Sequence, residues 1–536
     1  MRLCPKHKPG AYAAVMALVA VAALLLLRKP ELLNAYTYSD RIYDRNGQLL
    51  HLGLSLDDKY RIRVPLREIP PAAREALLLY EDRWFYEHPG VNPASMLRAV
   101  WQMLTGGRRQ GASTLTMQVA RIVYHIDSSS VSGKLLQIVR ALQLEIFYSK
   151  DEILEAYFNL APYGGNIEGI AAAAQVWFNT PVSRLNLPQI LTLTVIPQNP
   201  VKRSPATPAG LKNAAAAAAR LKELWREKHP VSADDDLNLP LSSGRFLPHE
   251  APHAVRRLRE TARGKIAATL DENLQKQTEA ILSKYVKDNA GRGIFNAAAI
   301  LVDYKTAEVL AAVGSADFFN EKIDGQVDGT AALRSPGSAL KPFIYALALD
   351  QGLIHPRTML KDVPKNYGLY TPENFDRSFY GLVNATQALV YSRNIPAVDL
   401  LLRLEENSFY QMLEKAGVKK LKTPGYYGLA LALGGAEVSA QDLAALYAML
   451  GNGGKFRPLR WRKDEPQLPE TAMLSPEAAF LTLDMLSYNA PVDRRRLPFA
   501  KRSGTPYKVY WKTGTSYGYK DAWAAGLFGD FVLVVW

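Results

Sequence analysis

Ser335-Pro336-Gly337-Ser338-Ala339-Leu340-Lys341-Pro342-Phe343 opens an apolar run, Phe343 to Leu349, that Gly352 closes, so the stretch reads as the start of a buried helix. Side chains three apart on a helix share a face, which sets Lys341 one turn above Ser338. The Ser338 hydroxyl then lies at a helix N-terminus, where unpaired N–H groups and the helix dipole favour developing negative charge. Pro342 falls in the first turn, where proline is tolerated. A Ser-x-x-Lys pair is common by chance, so its meaning depends on partners elsewhere in the chain.

Two segments supply them. Ser392-Arg393-Asn394 follows Ser338 by 54 residues. Side chains two apart cannot share a helix face, which puts Ser392 and Asn394 on a loop, before a helix with Pro396 at its start. Lys512-Thr513-Gly514-Thr515 comes 120 residues after Ser392, in a strand-like run. Strict alternation there sets Lys512 on the face opposite Thr513 and Thr515. Ser-x-x-Lys, Ser-x-Asn and Lys-Thr-Gly in this order form the signature of penicillin-recognising serine acyl-transferases. Residues 266–536, which mix strands and helices, therefore resemble a penicillin-binding transpeptidase with an α+β, β-lactamase-like fold.

That resemblance implies a D,D-transpeptidase in which Ser338 attacks a D-Ala–D-Ala carbonyl, expels the terminal D-Ala and passes the acyl group to an amine of a neighbouring stem peptide. β-Lactams would acylate the same serine. An alcohol needs an adjacent base, and Lys341 can serve once Lys512 and desolvation push its pKa down. Ser392 would relay the proton to the leaving amine. By the same resemblance Ser338, Lys341, Ser392 and Lys512 are catalytic. Asn394, Thr513, Gly514 and Thr515 bind substrate, and the N–H groups of Ser338 and Thr515 form the oxyanion hole.

The other half of the chain carries a second constellation. From Pro71 to about Lys228 the pattern is helical, with one helix expected from Asn92-Pro93 through Trp101 to a stop at Gly106-Gly107, and others at Ser113–Tyr124, Gly133–Phe147, Lys150–Leu160 and Gly169–Val176. Glu81-Asp82-Arg83-Trp84-Phe85-Tyr86-Glu87-His88-Pro89-Gly90 ends an apolar helix, and a carboxylate set among aromatic rings can have a raised pKa and act as a general base. With Gly111-Ala112-Ser113-Thr114-Leu115-Thr116-Met117-Gln118 and Ile153-Leu154-Glu155-Ala156-Tyr157-Phe158-Asn159, it resembles the peptidoglycan glycosyltransferase of class A penicillin-binding proteins. The resemblance implies a mainly α, lysozyme-like domain that polymerises lipid II with inversion. Glu81 would be the base on the acceptor hydroxyl, and Asp82, His88, Ser113, Thr114, Gln118, Lys134, Tyr157 and Asn159 would bind substrate.

One position departs from the family. Its third motif reads Arg-Lys-x-x-Glu, whereas this chain has Gly133-Lys134-Leu135-Leu136-Gln137, so an amide stands where a second carboxylate belongs. The departure is typical of one subgroup. The leaving pyrophosphate needs positive charge, which Lys134, Arg98, Arg108 and Arg109 could supply. A divalent cation (Mg or Mn) could share that task, though no carboxylate cluster marks a site for one, and no other cofactor is called for.

Composition bounds the rest. The 536 residues suffice for two or three domains, and the net charge of +14 points to an anionic partner. The single cysteine, Cys4, excludes an intrachain disulfide. Residues 1–10 read as a cytoplasmic tail before a transmembrane signal-anchor at 11–27, an uncharged run flanked by basic residues. This predicts a single-pass protein of the bacterial inner membrane with periplasmic catalytic domains, and argues against a nucleic-acid partner. Short strands at 38–64, with Asn46-Gly47 as a hairpin turn, precede the glycosyltransferase at 65–228. An interdomain linker at 229–265 precedes the transpeptidase, which ends inside an apolar run, as expected of a C-terminally truncated domain. The expected function is a bifunctional peptidoglycan synthase acting on lipid II, growing glycan strands and stem peptides, with other cell-wall synthesis proteins as possible partners. The alternatives are a D,D-carboxypeptidase, or a penicillin-binding sensor whose glycosyltransferase is impaired at Gln137.

Overall fold

The computed structural model describes residues 29–93, 113–229, 246–368, 370–489 and 508–536. The chain separates into two compact units, one containing residues 52–248 and the segment before 42, the other residues 42–51 and 249–536. The expected helix from Asn92-Pro93 through Trp101, together with Arg98, Arg108 and Arg109, falls almost wholly outside the described residues.

The first unit is mainly helical. Its helices are α1 (Pro71–Glu81), α2 (Leu115–Val123), α3 (Val131–Phe147), α4 (Lys150–Leu160), α5 (Ile170–Phe178), α6 (Leu187–Val195) and α7 (Pro208–Lys228). Most starts are marked by a side chain that accepts from the first turn: Thr114 for α2, Ser130 for α3, and reciprocal caps Ser149/Glu152 for α4 and Asn186/Gln189 for α6. Helices α5 and α6 are apolar on nearly every face and form the centre of the unit. Helix α1 packs on α6 and α7, and α2 packs on α3 and α4, so the end of α1 and the start of α2 meet above the core.

The expected membrane anchor is corrected here. Among the described residues no helix is long and apolar enough to cross a membrane. Helices α5 and α6 are the right chemistry but have nine residues each, about 14 Å of rise against about 30 Å of hydrocarbon. The 21-residue α7 is long enough but is laced with Lys, Arg and Glu. Residues 11–27, on which the anchor and the single-pass inner-membrane placement rested, lie outside the described residues.

The second unit is α+β. Its five-stranded antiparallel sheet has β1 (Ala299–Asp303), β2 (Glu308–Val313), β3 (Val509–Thr515), β4 (Ala522–Phe528) and β5 (Phe531–Val535) in the order β3-β4-β5-β1-β2. One face of the sheet, with Ile300, Val302, Val532 and Val534, belongs to the main apolar core. On the other face Ala299 and Val313 cluster with Leu282 and Val286 of α9 (Glu272–Asn289), the helix after α8 (Pro252–Thr261). A 3₁₀ turn at Gly337–Leu340 runs into α10 (Lys341–Asp350), buried from Lys341 to Ala348. The short α11 (Ala385–Val390) leads through a tight loop to α12 (Asn394–Arg403). Helix α13 (Ala440–Gly451) packs on β1, β4 and β5, and α14 (Pro476–Ser487) packs on α10 and β3. The hairpin turn at Asn46-Gly47 is also present: Asp44 Oδ1 accepts from the N–H groups of Asn46 and Gln48 at 2.8 Å each, and Gly47 takes φ +85°.

Candidate active sites

The first cleft is organised by α2. Glu81, at the last turn of α1, accepts a 2.9 Å hydrogen bond from Gln118 Nε2 through Oε2. Its other oxygen, Oε1, is buried with no hydrogen-bond partner among the described residues. Burial pushes the Glu81 carboxyl above its ordinary pKa, with the Gln118 bond and the nearby charges of Arg203 and Arg121 opposing. The Tyr157 hydroxyl is likewise buried without a partner among the described residues, within electrostatic reach of Glu81. Buried polar atoms left without partners are costly in a fold and suit a site that meets its partners on a substrate.

A second group joins the start of α2 to the first two turns of α3. Lys134 Nζ donates to Ser113 Oγ at 2.8 Å and to Gln137 Oε1 at 2.9 Å, and the Gln137 amide donates to the Met117 carbonyl at 2.6 Å. Both oxygens on Lys134 are neutral, and burial pulls the lysine below its ordinary pKa. The remaining expected residues brace the cleft. Asp82 accepts from His88 Nε2 at 3.0 Å and from the Leu115 N–H at 3.0 Å, tying the end of α1 to the start of α2. Thr114 caps α2 and donates to the Gly90 carbonyl at 2.6 Å. Gly90 has φ +86°, and a Cβ there would sit 2.7 Å from Glu145 Cγ, so only glycine fits. Asn159 is turned away from the cleft and clamps Val64 through both its N–H and C=O at 2.8 Å.

The second site stands where the nucleophile turn, the Ser-x-Asn loop and β3 converge. Ser338 lies in the 3₁₀ turn and Lys341 is the first residue of α10; three-residue periodicity eclipses them more directly than an α-helical turn would. The fully buried Lys341 directs Nζ at Ser392 O (2.7 Å), Arg393 O (3.1 Å) and Asn394 Oδ1 (2.6 Å). Lys512 Nζ donates to Ser392 Oγ at 2.8 Å. Burial is the largest cause of the depressed pKa of both lysines. Lys341 falls well below the usual lysine value, with Lys512 and Arg393 adding to the effect, and Lys512 is pushed down to about 8. Ser392 is held at φ +60°, a left-handed conformation uncommon for serine.

Strand β3 alternates as its sequence predicts, with Lys512 and Gly514 buried and Thr513 and Thr515 exposed. Two glycines let β3 approach the nucleophile. A Cβ on Gly514 would sit 2.1 Å from the Pro336 carbonyl, and one on Gly337 2.2 Å from the Thr515 carbonyl. The turn that carries Ser338 is thus packed directly against the Gly514–Thr515 backbone.

Residues 46–227 match the Transglycosylase family, and residues 297–528 match the Penicillin binding protein transpeptidase domain. The chain is 38% identical to penicillin-binding protein 1C of Escherichia coli K12 over 488 residues, 90% of this chain and 62% of that protein. It is 30% identical to penicillin-binding protein 2D of Bacillus subtilis over 479 residues, 83% of this chain and 67% of that protein. The chain belongs to the class A penicillin-binding proteins. Penicillin-binding protein 1C is the subgroup to which the Gln137 departure points, and the chain spans 62% of the length of that E. coli relative. The crystal structure of penicillin-binding protein 1A from Haemophilus influenzae shares the fold, with a TM-score of 0.52 at 16% identity over 95% of this chain and 88% of that one.

This class A penicillin-binding protein carries both the glycosyltransferase and the transpeptidase domain of the bifunctional enzymes. Sequence reasoning missed Arg121 and Arg203, whose charges act on Glu81. Arg121 sits three residues after Gln118 on α2, a same-face spacing that was there to be used. The donor set does not suit a divalent cation. Gln137 offers an amide oxygen already bonded to Lys134, and Glu145 is taken up by Thr116 and Lys150. Among the described residues no cluster of three His, Cys, Asp or Glu side chains is placed to hold a metal.

Proposed function

We propose that the chain polymerises lipid II and crosslinks stem peptides ending in D-Ala-D-Ala, with one cleft for each reaction. In the first, Glu81 takes the proton of the acceptor 4-hydroxyl and that oxygen displaces pyrophosphate from the donor's anomeric carbon with inversion. A raised pKa suits this base, because a carboxyl poised nearer neutrality transfers protons more effectively than an ordinary one. Lys134 and Arg121 face the departing pyrophosphate, and no step is routed through a cation.

In the second cleft, Lys341, once it has lost its proton and released one of its three oxygen contacts, accepts the Ser338 proton as Oγ attacks the D-Ala carbonyl. Ser392 passes a proton to the leaving D-Ala amine and Lys512 holds the Ser392 hydroxyl in place. The acyl group then moves to the acceptor amine. β-Lactams acylate Ser338 by the same attack. The observation that carries this reading is the convergence of Lys341, three residues after Ser338, and Lys512 of β3 on Ser392 of the Ser-x-Asn loop.

Two assays test it. Lipid II polymerisation should be lost in Glu81→Gln and survive in Ser338→Ala. Covalent labelling by a fluorescent penicillin should show the reverse pattern. Labelling that persists in Ser338→Ala would sink the acyl-transfer assignment, and polymerisation that persists in Glu81→Gln would sink the glycosyl-transfer one. A chain whose first domain no longer polymerises is the reading that Gln137 favours, and wild-type turnover of lipid II decides against it.

A further inference from the structure

The middle residue of the Ser-x-Asn loop transfers no proton in the steps above, yet its side chain makes more hydrogen bonds than Lys341 or Lys512. Arg393 Nε donates to Asp362 Oδ2 at 2.7 Å, and Nη1 donates to both oxygens of Asp376 at 2.9 and 3.1 Å. Nη2 donates to the Ser378 carbonyl, and the guanidinium lies 4.2 Å from the centre of the Tyr380 ring. Asp362 is fully buried at the end of the strand Met359–Asp362. It also accepts from Asn374 Nδ2 at 2.7 Å and from the Tyr380 N–H at 3.0 Å. Asn374 in turn accepts from the Asn394 N–H at 2.7 Å. The network therefore closes on the loop from both sides, through the Arg393 side chain and through the Asn394 backbone.

What the network holds is the set of oxygens around Lys341. The carbonyls of Ser392 and Arg393 and the Asn394 side chain are the three acceptors of its Nζ. They lie on consecutive residues, one of them at left-handed φ, and a loop in that conformation persists only where its surroundings over-determine it. A buried ion pair is weak evidence for stability, because desolvation offsets most of its attraction, and its best-attested use is to specify one arrangement.

We propose that Arg393, locked by Asp362 and Asp376, is a positioning residue that holds the Ser392–Asn394 acceptors around Lys341 and sets the charge that Lys341 experiences. The charged groups that face Lys341 are Lys512 on β3, Arg393 on the loop before α12 and Asp362 on the strand Met359–Asp362. The two cations favour the neutral lysine and Asp362 favours the charged one. The proposal rests on Lys341 being the acylation base, so its test reads that base directly.

The experiment is the pH dependence of the acylation rate with a fluorescent penicillin, on the full chain. The rate falls on the acid side as Lys341 becomes protonated. Arg393→Gln removes a cation, so the acid midpoint moves to higher pH. Asp362→Asn removes an anion, so it moves to lower pH. Arg393→Lys keeps the charge but not the fork, so the rate drops about tenfold with the midpoint unmoved. Opposite shifts are the expected result; slower rates with a common midpoint would reduce Arg393 to a structural brace and overturn the proposal. Should the buried variants fail to fold, Asp376→Asn at the exposed end of the clamp serves. It should slow acylation severalfold, and an unchanged rate would count equally against the clamp. Loss of the acid limb in wild type would instead unseat Lys341 as base, and labelling of Ser338→Ala would unseat the nucleophile, so the failures are distinguishable.

Discussion

Lys512 Nζ lies 2.8 Å from Ser392 Oγ, and this bond joins two motifs 120 residues apart. It places a cation with a pKa of about 8 against the hydroxyl assigned to proton relay. Because the folded protein lowers that pKa, Lys512 loses its proton as pH rises through about 8, before an exposed lysine would. The cation that orients Ser392 is then gone. The second-order rate of penicillin acylation should fall on the alkaline side with a midpoint near 8, and Lys512→Arg should push that limb beyond the measurable range. A rate still climbing at pH 9.5 in wild type would contradict it.

The same burial makes Lys512 a liability for the fold. A lysine whose folded pKa is depressed binds fewer protons folded than unfolded, so its contribution to stability rises with pH between about 8 and the ordinary lysine value near 10.4. Removing the charge should have the same effect at neutral pH. Lys512→Met, close in length and able to pack, should be neutral to stabilising by about 1 kcal/mol while abolishing acylation. Thermal unfolding beside penicillin labelling reads both.

Gly514 tests whether the approach of β3 to the nucleophile turn matters. A methyl group there would sit 2.1 Å from the Pro336 carbonyl and 3.0 Å from the Ala339 N–H nitrogen, both part of the turn that presents Ser338. Gly514→Ala should destabilise by about 1–3 kcal/mol and depress acylation by more than a hundredfold. Gly291→Ala, where a Cβ meets nothing within 4 Å, is the matched control and should leave both unchanged. Equal behaviour of the two variants would remove the packing argument.

Legibility followed the kind of physics involved. Helix α4 could be read to the residue because Ser149 and Glu152 form a reciprocal cap and its apolar spacing is regular. Strands β1, β2 and β5 are runs of β-branched and aliphatic residues and were equally plain. Strand β4 was not. Its Ala-Trp-Ala-Ala-Gly-Leu-Phe looks unlike a strand, because its small residues answer to β3: a Cβ on Gly526 would sit 2.5 Å from the Tyr510 carbonyl. In the sites, ordered motifs located Ser338, Ser392 and Lys512, while Arg393 was passed over as a spacer. Its importance comes from Asp362 and Asp376, whose contact with it is set by tertiary folding alone.

In the first cleft, Gln118 donates to the Glu81 carboxylate, and such a bond favours the ionised form. Gln118→Leu removes it, so the Glu81 pKa, already raised by burial, should rise further. A base must be ionised to act, so the acid limb of polymerisation should move to higher pH, with activity partly recovered there. A uniform loss at every pH would instead mean that Gln118 serves substrate binding alone.

Gln137 is the position where family resemblance and physical reasoning give opposite expectations. Restoring the family's carboxylate by Gln137→Glu looks like a gain. In this site the amide uses both its ends, accepting from Lys134 and donating 2.6 Å to the Met117 carbonyl. A carboxylate has no hydrogen to donate, so it would face that carbonyl with like partial charge in a position that is 1% exposed. The carboxylate could relieve this only by taking a proton or by turning fully onto Lys134, where it would neutralise the charge assigned to the pyrophosphate. Polymerisation should therefore fall about tenfold in Gln137→Glu, and Gln137→Met, which breaks both bonds, should fall further. Lipid II turnover measured with and without a chelator separates the two views. A faster Gln137→Glu enzyme would show that the missing carboxylate, not the order around Lys134, limits this site.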